Sequence, residues 1–181
     1  MEALTYIQEL KKALDEFNYD ALKSITDLLE QYVGKNTVFL AGNGGNSANA
    51  LHMATDLSKG LFLAKGKPIN AIPLHQNSAL FSAAVNDMPE SNYFSFLLEM
   101  SGKKEDLVVL YTAGGTSLNI LKAAEKARAL GIRTIGLTGC NGGNLGKFFD
   151  IHLHIDSMNI QIVEDVHGII GHLIYSKLSE N

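Results

Sequence analysis

The sequence has one cysteine, no apolar run that approaches the length of a membrane span, and no excess of positive charge. Cys140 has no partner for an internal disulfide, which fits a reducing compartment, and within the polar loop TGCNGGN it reads as an incidental thiol. A spanning helix needs about 20 apolar residues, so no membrane partner is expected. The opening MEALTYIQELKKALDEF lacks the basic-then-apolar order of a signal peptide, and the expectation is a cytoplasmic protein. The 15 Lys and Arg residues are scattered against 19 Asp and Glu, a net charge of −4, which argues against nucleic acid and for small molecules or proteins as partners. Repeats, low-complexity tracts and linkers are also missing, so residues 1–181 read as one domain.

What is present is enough apolar material for a core, 46% of 181 residues, arranged in alternation. Residues 1–34 read as a helical hairpin, with Leu10, Leu14, Phe17, Leu22, Ile25, Leu28, Leu29 and Val33 at mostly helical spacing and a break near Asn18 to Asp20. Its apolar face requires a partner. Five short strand candidates follow, TVFLAG, INAIPL, DLVVLYT, RTIGLTG and DIHLHID, separated by helical segments such as SLNILKAAEKARAL. That order implies right-handed βαβ units, and hence an α/β fold: a three-layer sandwich around a five-stranded parallel sheet, closed by a helix at about 161–178. Ligands of such sheets bind beyond the carboxyl ends of the strands.

Two loops fall at that edge. AGNGGNSA joins the first strand to a helix, where Asn43, Gly44, Gly45, Asn46 and Ser47 offer a tight turn, main-chain amides and side-chain donors suited to an anion such as phosphate. An ordinary capped turn explains the same residues equally well. The loop matches neither GxGxxG with its acidic ribose binder nor GxxxxGK[ST], which disfavours nucleotides. In the second loop, TAGGTS, Thr112, Thr116 and Ser117 add hydroxyls that face the same anion, unless Thr116 is only a helix cap.

The reactive groups lie on two helices. His52 and Asp56 are four apart on one helical face; on the terminal helix Asp165 and His172 are nearly eclipsed and Glu164 lies about 80° round, so all three border one cleft. Such a set suits a zinc-like ion, proton transfer, or simply a solvated charged face. His167 points about 140° away from His172 and reads as structural.

Taken together, AGNGGNSANALHMATDLSKG, AVND, TAGGTS and QIVEDVHGIIGH resemble the SIS (sugar isomerase) domain family, most closely its phosphoheptose isomerases, over nearly the whole chain. The resemblance implies a flavodoxin-like sheet and a homotetramer assembled through the N-terminal hairpin. It implies interconversion of sedoheptulose 7-phosphate and D-glycero-D-manno-heptose 7-phosphate through an enediol, with zinc in some members. Its metal ligands fall on His52, Asp56, Glu164 and His172, its proton-transfer pair on Asp56 and His172, and its substrate contacts on the two loops, Glu164, Asn86 and Asp87. The family also contains isomerases of other sugar phosphates and non-catalytic phosphosugar-binding or adaptor proteins. Against the family pattern, Asn46 replaces Ser, Asn49 replaces Asp, Asp56 replaces a Glu one methylene longer, and Glu164 replaces Gln. In the second loop Ala113 and Gly114 replace side chains that carry donors, which leaves the backbone amides to meet the anion.

Overall fold

Strands whose two faces are both apolar need helices on both sides. In the computed structural model, which describes residues 2–180 apart from the side chains of 143 and 144, that is the arrangement. Helices α1 (Ala3–Glu16) and α2 (Tyr19–Glu30) precede strand β1 (Thr37–Ala41). A continuous helical stretch follows, made of α3 (Gly45–Thr55), a π-helical turn (Asp56–Gly60) and α4 (Leu61–Lys65). Next come β2 (Asn70–Pro73), α5 (Ser78–Asp87) and α6 (Tyr93–Ser101), then β3 (Leu107–Thr112), α7 (Leu118–Leu130) and β4 (Arg133–Thr138). Strand β5 (Ile151–His154) and the long α8 (Ile160–Ser179) end the chain.

All five expected strands form one parallel sheet in the order β2-β1-β3-β4-β5, with Leu40 beside Pro73 on one side and Val109 on the other. The strand order reverses at β1, so the loops after β1, β2 and β3 converge at the switch point where open sheets take ligands. Val38, Leu40, Val109, Tyr111, Ile135, Leu137 and Leu153 bury themselves under α1, α2, α3 and α8. The alternate residues Phe39, Ala41, Val108 and Leu110 meet α6 and α7. Each large buried side chain contributes roughly 1.5–3 kcal/mol of apolar transfer energy.

The hairpin break falls at Asn18, whose Oδ1 caps α2 by accepting from the Ala21 N–H at 2.9 Å. The hairpin lies on α8, where the Tyr6 hydroxyl donates to Asp165 Oδ2 at 2.6 Å. That bond pushes the Tyr6 hydroxyl up to about 12 and corrects the expected place of Asp165: its carboxylate faces α1, not the cleft. Leu4 and Ile7 of α1 remain exposed.

Candidate active site

Helix α3 carries His52, the π turn begins at Asp56, and α8 crosses close enough for Gly168 to lie against Asn49, where a Cβ would sit 3.3 Å from Oδ1. This crossing brings His172 to His52 with Nε2 to Nε2 at 3.3 Å. Asp56 Oδ2 lies 3.6 Å from His52 Nε2. One ligand atom from each of the three lies within 4.8 Å of the others. Both imidazoles face solvent, while Asp56 is half-buried. π turns insert one residue into a helix and recur at functional sites.

The donor set fits zinc. Bonds of about 2.0–2.1 Å in a tetrahedral shell place ligand atoms roughly 3.3–3.4 Å apart; the two separations from His52 Nε2, 3.3 and 3.6 Å, come near this, and all three atoms lie within 4.8 Å of one another. Two imidazoles and one carboxylate leave the fourth position for water or substrate.

Glu164, expected among these ligands, lies outside the cluster. Its Oε1 accepts from Asn46 Nδ2 at 3.0 Å, and its main-chain oxygen accepts from Asn49 Nδ2 at 2.9 Å. Asn46 is in turn only 4% exposed, and its Oδ1 accepts from His167 Nδ1 at 2.7 Å. Burial pushes His167 down to about 3, so the ring is neutral and its proton sits on Nδ1. Asn46 therefore acts as an internal strut and not as a solvent-facing donor. It holds the Glu164 carboxylate against Gly45, where a Cβ would collide with it.

In the loops, Asn43 and Asn119 exchange amide hydrogen bonds of 2.9 Å in both directions, tying the turn after β1 to the start of α7. Asn119 carried no sequence signal. Thr112 is buried; its hydroxyl donates to Ser117 Oγ at 3.3 Å and accepts from the Gly115 N–H at 3.1 Å, so it braces the loop from within. Ala113 is buried, Gly114 half-buried and Thr116 exposed. Helix α7 starts after Ser117, with no side-chain cap from it and Thr116 outside the cap position. A cavity of about 240 Å³ is lined by Asn43, Glu90, Ser91, Ser117, Leu118 and Asn119. Glu90 is the charged residue of this wall, and Lys122, outside it, donates from Nζ to Ser91 Oγ at 2.9 Å. Asn86 and Asp87 end α5, exposed and bonded to each other at 2.9 Å, and do not line this cavity. Cys140 is half-buried, and burial pushes its thiol up, as suits an unreactive residue.

A parallel sheet in this strand order, with two polar loops at its switch point and an imidazole–carboxylate cluster on the helix leaving the first, defines an α/β protein of the flavodoxin-like SIS class. The chain belongs to the SIS domain family, which matches residues 4–139. It is 31% identical to a probable phosphoheptose isomerase of Thermoplasma acidophilum, covering 99% of both chains. It is 30% identical to a phosphoheptose isomerase of Helicobacter pylori, over 96% of this chain and 90% of the other. The solved phosphoheptose isomerase of Francisella tularensis superposes with a TM-score of 0.85 at 27% identity, covering 98% of this chain and 94% of that one.

Proposed function

We propose that the protein is a phosphoheptose isomerase, which interconverts sedoheptulose 7-phosphate and D-glycero-D-manno-heptose 7-phosphate. The observation that carries this reading is the convergence of Asp56, His52 and His172, an acid/base set on an otherwise ordinary helix crossing. The Asp56 carboxylate takes a proton from the hydroxyl-bearing carbon beside the carbonyl; that C–H pair becomes the enediol double bond, and the carbonyl pair moves onto oxygen, which takes up a proton from solvent. With no ion on its Nε2, His172 returns a proton to the former carbonyl carbon as the neighbouring enediol hydroxyl gives its proton to solvent and becomes the new carbonyl. His52, His172 and one oxygen of Asp56 would hold a divalent ion, of which zinc matches the donors best. When bound, the ion polarises the substrate carbonyl.

The substrate loops hold the phosphate end through Ser47, Ser117 and the main-chain amides of Gly44, Gly45 and Gly114. Asp56 stands eleven residues along the helix from Gly45, about 16 Å at 1.5 Å per residue, so loops and cluster of one protomer stand far apart for a single sugar phosphate. A homotetramer in which a neighbouring copy completes each site resolves this. Leu51 and Leu173, each 42% exposed directly beside the two histidines, support an apolar contact there. The setting that follows is a cytoplasmic step toward the heptose of lipopolysaccharide or capsule.

The test is NMR of sedoheptulose 7-phosphate incubated with the protein, with and without zinc. Aldose signals appear if the reading holds. Tight binding without turnover under either condition replaces it with a phosphosugar-binding module.

A further inference from the structure

Asp56 stands where the helix leaving the first loop stops being an α-helix. Its N–H is shared between the carbonyls of His52 and Met53, and its own carbonyl accepts from the Leu61 N–H, five residues on, which also reaches the Ser58 carbonyl. An ordinary ladder would give the Asp56 carbonyl to Gly60. Such wide turns are rare, so something outside the helix must hold this one.

Two neighbours do so. On one side the chain entering β2 is stitched to the turn: the Ser58 hydroxyl donates to the Ile69 carbonyl at 3.1 Å and accepts from the Ala71 N–H at 3.4 Å, while the Leu57 carbonyl accepts from the Ile69 N–H at 3.0 Å. On the other side α8 lies so close at Gly60 that a Cβ there would stand 2.7 Å from the Tyr175 ring. Tyr175 follows His172 by one helical turn. The turn is thus wedged between the edge strand and the helix that carries the second imidazole. Two of its bonds to the strand segment come from one half-buried side chain, that of Ser58.

An aspartate carboxylate is only two torsions from its main chain, so it goes where the backbone of residue 56 sends it. Here that places Oδ2 at 3.6 Å from His52 Nε2. A shift of about 1 Å in a reacting group can cost roughly a hundredfold in rate.

We infer that Ser58 is a positioning residue: by pinning the wide turn to the start of β2 it sets the main chain of Asp56, and through it the carboxylate that meets His52 and His172. Its hydroxyl bonds to the strand and touches neither substrate nor ion. The inference rests on the isomerase reading for the reaction, and the experiment separates the two.

Wild type, Ser58→Ala and Ser58→Thr are compared by crystal structure, zinc titration, thermal midpoint and turnover of sedoheptulose 7-phosphate. In Ser58→Ala the Asp56 carboxylate moves about 1 Å or more away from His52, zinc binds about tenfold more weakly, and kcat falls about tenfold with KM within about threefold of wild type. Ser58→Thr keeps the hydroxyl and stays within about threefold of wild type in zinc affinity and kcat. A fall in midpoint alone marks a stitch that serves only stability and overturns the inference. So does an Asp56 carboxylate that stays in place, a raised KM with kcat kept, or a threonine variant as impaired as the alanine one. Where wild type takes up no zinc, carboxylate position and kcat decide. If wild type turns over no heptose phosphate while the carboxylate of Ser58→Ala is displaced, the isomerase reading falls and the positioning of Asp56 stands.

Discussion

The same side chain does different chemistry here according to what surrounds it. Of the six histidines, His52 and His172 stand exposed and face one another, His152 and His154 share the Thr138 hydroxyl at 2.7 and 3.0 Å, and His167 is sealed against Asn46. His167 sets a pH dependence. Its folded value of about 3 lies below the 6.5 of an unperturbed ring, so the unfolded chain takes up a proton between those values that the folded chain refuses. The stability is present above pH 6.5 and falls as pH drops toward 3, by up to about 1.4 kcal/mol per pH unit from this group. Urea midpoints at pH 7.5 and 5.5 show the decline, and His167→Gln flattens it; an unchanged slope in the variant shows that other groups control acid stability. Asp56→Asn and His172→Ala each lower isomerisation on the order of a hundredfold or more while the circular dichroism spectrum is kept. Residual activity above a tenth of wild type in either variant removes that residue from the proton-transfer pair.

Two junctions between elements position these residues. One is the crossing of α3 and α8, which unites three residues that no single helix could assemble. The other is the contact between the loops after β3 and β4. Gly115 adopts a φ of 69°, and a Cβ there would run into the backbone of Gly142. Gly115→Ala therefore meets both a left-handed backbone and a rigid neighbour, for a loss of about 2 kcal/mol or more. The damage reaches the substrate loop, so KM rises more than kcat falls. A variant with wild-type stability and KM shows that the two loops separate freely. The helix order and spacing were legible because apolar residues recur at helical intervals. That Glu164 turns to Asn46 was not, since helical angles fix a direction around one axis and say nothing about which residue approaches from another element.

For the whole molecule, assembly and metal content are the measurable consequences. Light scattering at micromolar concentration gives a homo-oligomer, with the tetramer expected, because α1 leaves Leu4 and Ile7 at 70% and 45% exposure beyond what α8 covers. Leu4→Glu with Ile7→Glu shifts the distribution to smaller species and lowers activity together with it; a wild-type monomer that turns over substrate refutes the shared site. Elemental analysis finds about one divalent ion per chain, and His52→Ala removes saturable zinc binding. A protein that takes up no zinc leaves Asp56 and His172 to act without it.

By itself the sequence determined the strand count, the parallel order of elements, the two loops at the ligand edge and the local pair His52 and Asp56, because each depends on periodicity or on neighbours within a turn. His172 was grouped with them as the imidazole of a second helix bearing carboxylates, and only the crossing of α3 and α8 set the distance. Tertiary structure alone decided that Asn46 is a buried strut, that Asp165 serves Tyr6 and that Asn119 locks to Asn43. Each of those facts is a contact across more than one element, and the free energy of a polar group depends on which partner burial leaves within hydrogen-bonding reach.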